Sequence, residues 1–558
     1  MMTALLISGM GPEYPDNQLL RDSSFEALLN PAVAANAGRS KFDLNRLHYK
    51  TAGGLVLPLL RKRKDGGGAR AAGVPMSVDD KISKEPKRTF HLTSFTLESI
   101  LTGADIDFDS MSTEHIWNNT GFEPTGEYDT VLLSTTFIWD QQTLRRAIAW
   151  IGQRFPGSKL ILGGQYSNLK FNQIMREHKA VNFIIRGDAE IALPDLLRKL
   201  RKRGDIASVP NLVFRGANDE ICLTPIGYVD LDLQPSPSPN GFSPVVPYES
   251  MRGCPFTCKF CSFPAASPKW RYKSADKIAR DWERYKIHNG AHYIKALDST
   301  FTVPPTRLRS LLPKVEAIKI QWEAYTRANS INSTELVHQL ENSGCSSLFL
   351  GFESMSDTTL QYMDKKVTSR ANRLALELLT ESSIKHFVSF IVGYPGESPE
   401  LFEATRRFLV NEFSGEFALY VCMLQDETMP LWDDAEKFNI QVDDPSGEAR
   451  IWSHSGMDSK TARQLQLETL REVRWNNDNA IFRSWQHDFE SPLIPDRTRQ
   501  ENTSLEKLVD RLGMISVDIS SEQQARKLEV EITSKLTAHG ISVVPDAGLS
   551  GYMQKAEK

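Results

Sequence analysis

The stretch Met251-Arg252-Gly253-Cys254-Pro255-Phe256-Thr257-Cys258-Lys259-Phe260-Cys261 holds three of the six cysteines in a chain of 558 residues. Six cysteines are too few for a disulfide scaffold, and three gathered this tightly point to metal ligation in a reducing cytoplasm. Three thiolates at this spacing, on a loop after a strand, can bind three irons of a cubane cluster and leave the fourth iron open. An open iron can chelate the amino and carboxyl groups of a small molecule. The competing readings are a zinc site or buried cysteines. Structural zinc usually takes four ligands in paired knuckles, and no second knuckle exists in the sequence. Cys222, Cys345 and Cys422 lie in apolar or strand contexts and read as core residues.

Downstream of this loop, short apolar runs at 293–297, 321–325, 347–351, 387–392 and 418–423 read as strands. Helical segments at 275–288, 334–343 and 370–381 lie between them, and this alternation predicts a partial (βα)6 barrel. Upstream, the segment 235–247 (PSPSPNGFSPVVP) has the composition of a linker. Before it, strands at 4–8, 105–109, 130–134, 159–162 and 182–185 alternate with helices from Leu92 and over 141–154. That pattern predicts a doubly wound, Rossmann-like sheet. The span 9–87 reads as one long irregular loop carrying the basic run Arg61-Lys62-Arg63-Lys64 and the glycines Gly66 to Gly68. A loop that long within a domain is functional or disordered. Beyond Trp452 the strand signal fades, and 460–482, 504–512 and 522–539 read as helical. The expected domains are therefore 1–235, 245–455 and a mostly helical 456–558, in an α/β protein.

Apolar residues make up 40% and charged residues 24%, and the formal charge is −4. These values suit an ordinary soluble protein and argue against a generally nucleic-acid-binding surface. No run reaches the roughly eighteen apolar residues that span a bilayer. The start, MMTALLISGMGPEY, lacks a basic region before its apolar run and reads as a buried strand rather than a signal peptide.

Cys-xxx-Cys-xx-Cys with Phe260 before the last cysteine resembles the radical S-adenosylmethionine (SAM) superfamily, whose loop follows the first strand of a partial barrel. The resemblance implies a [4Fe–4S] cluster on Cys254, Cys258 and Cys261 that reduces SAM and cleaves it to methionine and a 5′-deoxyadenosyl radical. Leu348-Phe-Leu-Gly351-Phe-Glu353-Ser354 is similar to the fourth-strand segment that contacts the ribose or methionine portion of SAM. Phe390-Ile-Val-Gly393-Tyr394-Pro395-Gly396-Glu397 is similar to the fifth-strand turn near the adenine. Ala296-Leu-Asp298-Ser299 resembles the second-strand acidic segment, and Tyr325-Thr-Arg327 the third-strand segment that presents an arginine towards the SAM carboxylate. The bland readings stay open beside these. Asp298 and Glu353 can cap helices or pair with cations, Arg327 can be a structural ion-pair partner, and Gly393 and Gly396 are turn residues.

A Rossmann-like domain ahead of the barrel resembles the cobalamin-dependent radical SAM methyltransferases. That group includes the tryptophan methylase of thiostrepton biosynthesis and phosphinate P-methylases. Ser134-Thr135-Thr136, Gly163-Gly164-Gln165 and Arg186-Gly187-Asp188-Ala-Glu190 follow successive strands as in that layout, where glycines let a corrin and its nucleotide tail approach the backbone. The Asp-x-His-x-x-Gly motif that supplies an axial histidine in many cobalamin proteins is absent. The nearby sequence offers only His48 and His91, and Arg70 with its basic neighbours is a candidate to cover the lower face of the corrin. The solvated-loop reading of that basic run stands beside it.

The resemblance implies methyl transfer from SAM through methylcobalamin to an unreactive carbon or phosphorus of a natural-product or peptide precursor, tryptophan among the options. A flavodoxin or ferredoxin would supply the electron if a radical is generated. A rearrangement or cyclisation that uses the same cofactors is the alternative. A methylthiotransferase would need a second three-cysteine site, which the chain lacks. Trp452-Ser-His454 after the barrel is either substrate-facing or core.

Overall fold

The computed structural model describes residues 3–9, 48–50, 56–61, 70–71, 92–118, 124–138, 140–237, 239, 241–424, 427–443, 451–482, 498–539 and 541–543. The first sheet is built from β1 (Ala4–Ser8), β2 (Phe108–Ser112), β3 (Thr130–Ser134), β4 (Lys159–Gly163), β5 (Val181–Ile185), β6 (Leu212–Arg215) and β7 (Ile221–Leu223). Its order is β2-β1-β3-β4-β5-β6-β7, parallel as far as β5 and antiparallel at β6 and β7. All five residues of β1 and of β3 are buried, as expected of parallel strands covered on both faces. Helices α1 (Leu92–Gly103), α2 (Gln141–Arg154), α3 (Gln165–Glu177) and α4 (Ala189–Lys202) supply the cover. Leu5, Ile7, Val131 and Leu133 pack into one core layer, and Leu6, Leu132 and Ile161 into the other. The strand order reverses between β1 and β3, which opens a crevice at the carboxyl edge there. The strand expected at 105–109 begins at Phe108, because Asp105 is left-handed (φ 56°) and the turn closing α1 uses the residues before it.

The second sheet runs in chain order and is parallel throughout: β8 (Val245–Tyr248), β9 (Tyr293–Ala296), β10 (Gln321–Arg327), β11 (Cys345–Glu353), β12 (Lys385–Val392), β13 (Gly415–Val421) and β14 (Ala480–Phe482). Between the strands lie α5 (Ala275–Asn289), α6 (Pro305–Ile318), α7 (Thr334–Asn342), α8 (Ser369–Thr380), α9 (Pro399–Asn411) and α10 (Ser459–Asn476). Ser274, Ser333, Thr368 and Ser398 each accept a backbone N–H of the first turn of α5, α7, α8 and α9 and so fix where those helices begin. Along β11, Leu348, Leu350 and Phe352 join the core against the helices. Side chains alternate along a strand, so Phe349, Gly351 and Glu353 face the barrel interior.

Four further expectations change. The linker 235–247 ends in a strand: β8 contains Pro247, tolerated because β8 is an edge strand that pairs only with β9. Upstream of it, Tyr285 donates to the Pro237 carbonyl (2.5 Å) and Asn289 to the carbonyls of Pro239 and Gly241 (both 2.9 Å), so this stretch is pinned to α5. The barrel core runs past the expected boundary at 455, because Met457, Ala462, Leu470, Val473, Ala480 and Phe482 pack into it. Residues 480–482, read as helix, are the seventh barrel strand. Only α11 (Arg499–Asp518) and α12 (Glu522–Ala538) keep a core of their own, around Leu505, Leu512, Ile515 and Leu536. Finally, the span read as an irregular loop contains strands His48–Lys50, Val56–Arg61 and Arg70–Ala71, which form a four-stranded sheet with Ile541–Val543. Lys62 to Lys64, Gly66 to Gly68 and His91 lie outside the described residues, as do the side chains of His48, Arg61 and Arg70. No helix among the described residues is long and apolar enough to cross a membrane.

Candidate active site

Beyond β8 the chain forms a two-residue strand, Met251–Arg252, paired with Arg271–Tyr272, and then enters the cysteine loop. Gly253 takes φ 75°, and a Cβ there would lie 2.7 Å from the Lys269 carbonyl oxygen, so the turn into Cys254 requires glycine. The far side of the loop is held by backbone bonds of 2.9 Å, from Lys259 N–H to the Met363 carbonyl and from Leu431 N–H to the Lys259 carbonyl. The Lys259 ammonium also pairs with Asp434. Cys258 is buried, and Cys254 and Cys261 are half-buried. The Cys261 thiol is pushed up to about 11, chiefly by burial, with the other two cysteines adding to the rise and Lys365 opposing it. A metal cation would relieve this penalty at Cys261, since ligation requires the thiolate. Among the described residues no three His, Cys, Asp or Glu side chains are gathered as ligands of one ion. A cubane instead gives each thiolate its own iron.

The residues assigned by resemblance to SAM divide into groups with different surroundings. Asp298 is buried and accepts from the backbone N–H of Ser250 (2.7 Å) and Met251 (2.9 Å) and from the Ser250 hydroxyl (2.5 Å). It therefore supports the stem of the cysteine loop, and burial raises its carboxyl despite these donors and Arg307. Ser354 is fully buried and faces α9, with its hydroxyl 3.3 Å from that of Thr405. Glu353 faces the interior, pairs with the buried Lys365 at 2.9 Å and accepts from Ser389 at 3.2 Å. Glu353 has φ 64°, and a Cβ on Gly351 would run into its carboxylate. Arg327 Nη1 donates to Cys258 Sγ at 3.3 Å.

Gly393 has φ 82°, and a Cβ there would lie 2.6 Å from Trp452 and 2.8 Å from Ala462. Tyr394 is fully buried and its hydroxyl donates to the Tyr362 carbonyl at 3.2 Å. His454 Nδ1 accepts backbone N–H groups from Gly396, Gly456 and Met457, and its Nε2 donates to the Gly393 carbonyl. Four such contacts lock the neutral ring, and burial lowers its basicity further. The ring of Trp452 stacks on it at 5.2 Å, so both buttress the glycine turn and belong to the core.

At the carboxyl edge of the first sheet the surroundings are open. A half-open cleft of about 270 Å³ is lined by Ser134, Thr136, Gly163, Gly164, Gln165, Gly187 and Glu190, among others. Its opposite wall comes from the barrel's loop: Glu249, Arg252, Phe263, Ala266 and Ser267. Thr135 is buried and donates to the Gly163 carbonyl at 2.8 Å, so it braces the edge rather than facing the cleft. Gly164 (φ 105°) is required by packing, since a Cβ would lie 2.8 Å from the Thr136 nitrogen. Gly187 (φ 81°) has nothing within 4 Å of where its Cβ would be, and Gly163 meets only the Ile185 carbonyl oxygen at 3.7 Å. These two glycines leave bare backbone towards the cleft.

Across the same cleft runs an ion-pair node that the sequence does not signal. Arg252 donates to Asp188 (2.9 Å) and to both oxygens of Glu190 (2.5 and 3.1 Å), while Arg271 forks onto both oxygens of Asp188 (2.6 and 3.0 Å). Burial pushes the Asp188 carboxyl up, but Arg271, Arg252 and the Val229 N–H outweigh it and hold the group below the usual carboxylate range. Glu190 is thus bonded to the stem of the cysteine loop. Arg252, Arg271 and Lys365 were all missed by sequence reasoning, because their partners lie 64, 83 and 12 residues away and no periodicity marks such pairs.

A cysteine loop at the mouth of a parallel barrel defines the class. Residues 248–409 match the radical SAM superfamily and form a radical SAM domain of an α/β enzyme. The particular likeness is to an uncharacterized methyltransferase of Pyrococcus horikoshii, 24% identical over 56% of this chain and 69% of that protein. The anaerobic magnesium-protoporphyrin IX monomethyl ester cyclase of Synechocystis is 22% identical over 50% of this chain, which spans 58% of its length. Among solved structures, the radical SAM methyltransferase TsrM of Kitasatospora setae, with cobalamin and a [4Fe–4S] cluster bound, shares the fold. Its TM-score is 0.55 at 13% identity, over 80% of this chain and 96% of that one.

Proposed function

We propose that the chain is a cobalamin-dependent radical SAM methyltransferase that moves a methyl group from SAM, by way of cobalamin, to an unreactive carbon or phosphorus of a natural-product or peptide precursor. The observation that carries this reading is the juxtaposition of the cleft, with its bare backbone at Gly163 and Gly187, and the stem of the cysteine loop. A group lying on that sheet edge touches Arg252, two residues before Cys254. The fold shared with TsrM, whose structure holds both groups, supports it.

When bound, the cluster supplies an electron to SAM and the corrinoid supplies a methyl carrier. The chain's own residues do the rest. Cys254, Cys258 and Cys261 hold the cluster, and Ser134, Thr136, Gly163, Gln165 and Gly187 form the corrinoid's seat. Asp298 fixes the loop stem from below, and the Asp188–Glu190 pair fixes it from the side. Glu353, held by Lys365 and Ser389, presents a charged pair towards the interior where SAM and substrate meet. A ferredoxin or flavodoxin is the proposed electron source.

Purification from cells supplied with cobalamin, followed by incubation with methyl-labelled SAM and candidate precursors, tests the proposal. The expected result is a bound corrinoid and label in the product. A preparation that binds no corrinoid ends the two-cofactor reading. A bound corrinoid with SAM turnover and an unlabelled product favours the cyclase-type alternative, which the similarity to the cyclase supports.

A further inference from the structure

We propose that Arg327 tunes the electron affinity of the cluster through Cys258 instead of gripping the SAM carboxylate. The inference rests on the cluster reading of the three cysteines. Arg327 leaves the carboxyl end of β10 and is buried, with 5% of its surface exposed. Nη1 donates to Cys258 Sγ at 3.3 Å, and Nη2 donates to the Lys365 carbonyl. The guanidinium lies 3.8 Å over the ring of Phe256, two residues before Cys258. Both terminal nitrogens are therefore engaged, and the only unpartnered polar atom is Nε. Each terminal nitrogen keeps a second N–H, but the plane of the guanidinium is already set by Cys258, the Lys365 carbonyl and the Phe256 ring, so its fork is turned onto the cysteine loop.

Charge points the same way. Among the described residues no carboxylate forms an ion pair with Arg327, and the interior carboxylate Glu353 is taken by Lys365. A buried guanidinium needs a counter-charge, and the anionic group it touches is the Cys258 sulfur. An oxidised [4Fe–4S] core with three thiolates carries one net negative charge, and accepting one electron from a ferredoxin or flavodoxin makes it two. A fixed cation hydrogen-bonded to one of those thiolates stabilises the reduced form more than the oxidised form. Arg327 is thus a positioning residue that eases electron entry, and Phe256 holds its plane against the sulfur.

The test uses the full chain, reconstituted anaerobically, as wild type, Arg327→Met and Arg327→Lys. Iron content comes first, then redox titration followed by the EPR signal of the reduced cluster, then SAM binding. We expect about four irons in each protein. At a fixed potential near the wild-type midpoint, the reduced-to-oxidised ratio should fall roughly tenfold in Arg327→Met and less in Arg327→Lys, which keeps the charge without the planar fork. SAM affinity should change by less than about threefold, as expected if no carboxylate contact is lost. Unchanged midpoints with a tenfold loss of SAM affinity would return Arg327 to the SAM carboxylate and overturn the proposal. If Arg327→Met loses iron, the Arg327→Lys midpoint decides: no shift overturns the proposal. A wild type without four irons removes the cluster reading itself.

Discussion

The barrel mouth and the sheet edge carry equally recognisable motifs, yet their polar groups are used differently. At the mouth, Asp298, Ser354, Tyr394 and Arg327 are each bonded to another part of the protein. At the sheet edge, Gly187 meets open space and Gly163 only an ordinary contact with the Ile185 carbonyl, while the acids of the neighbouring motif reach across the cleft to Arg252 and Arg271. A motif found by resemblance therefore marks a position and not a contact. In the barrel the motif residues hold one another and the loop in place, and around the cleft they leave backbone bare for a ligand.

The largest effect that would break this contrast lies with the cysteines. Replacing Cys254, Cys258 and Cys261 together with alanine should take the reconstituted protein from about four irons per chain to nearly none, measured by iron and sulfide analysis. An undiminished iron content removes the metal site from the loop.

Next come the two buried acids. Asp298→Ala leaves two buried backbone N–H groups without an acceptor, and Asp188→Ala leaves Arg271 without its forked partner. Each should cost about 3–5 kcal/mol in chemical denaturation, because an uncompensated buried polar or charged group is left behind. If Asp298→Ala instead keeps full stability and only weakens SAM binding, Asp298 faces the ligand and the contrast fails on the barrel side.

A pH effect follows at Glu397. Burial pushes its carboxyl up to about 8, against the opposing Gly393 N–H. Between about 4.5 and 8 the folded chain keeps this proton while the unfolded chain loses it, so stability is greatest at the acid end and declines as pH rises through that window. Glu397→Gln can still accept from Gly393 and should flatten the decline, gaining about 2–4 kcal/mol on wild type at pH 8 relative to pH 5. Parallel denaturation curves for the two proteins at both pH values would rule this out.

The smallest effects separate two glycines. Gly187→Ala should cost about 1 kcal/mol for its positive φ and weaken corrinoid uptake, read by absorbance. Gly164→Ala should cost more in melting temperature, since its Cβ meets backbone. Equal stability losses with equal uptake would mean that neither glycine faces a ligand.

Local signals were legible in the sequence. The buried run 4–8 stops before a glycine and the amphipathic run 141–154 starts after its N-cap Asp140, as in the structure. The three cysteines stood out as a candidate metal site for the same reason, being packed into eight residues. What escaped had no local signature. Pro247 disguised β8 as linker, and the three residues of β14 are too few for any periodicity. The partners of Arg252, Arg271 and Arg327 are set by how strands and domains are brought together, which single-residue patterns do not encode.

The node at Arg252 has a consequence for how portable these domains are. Asp188 and Glu190 belong to one domain and Arg252 and Arg271 to the other, and all four are largely shielded from water. A chimera that joins this sheet domain to a barrel lacking those arginines would carry two buried acids with no counter-ion. A foreign sheet domain would strand the arginines in the same way. Replacing either the sheet domain or the barrel of this chain therefore means transplanting a charge quartet, and the seam of any working hybrid has to fall outside it.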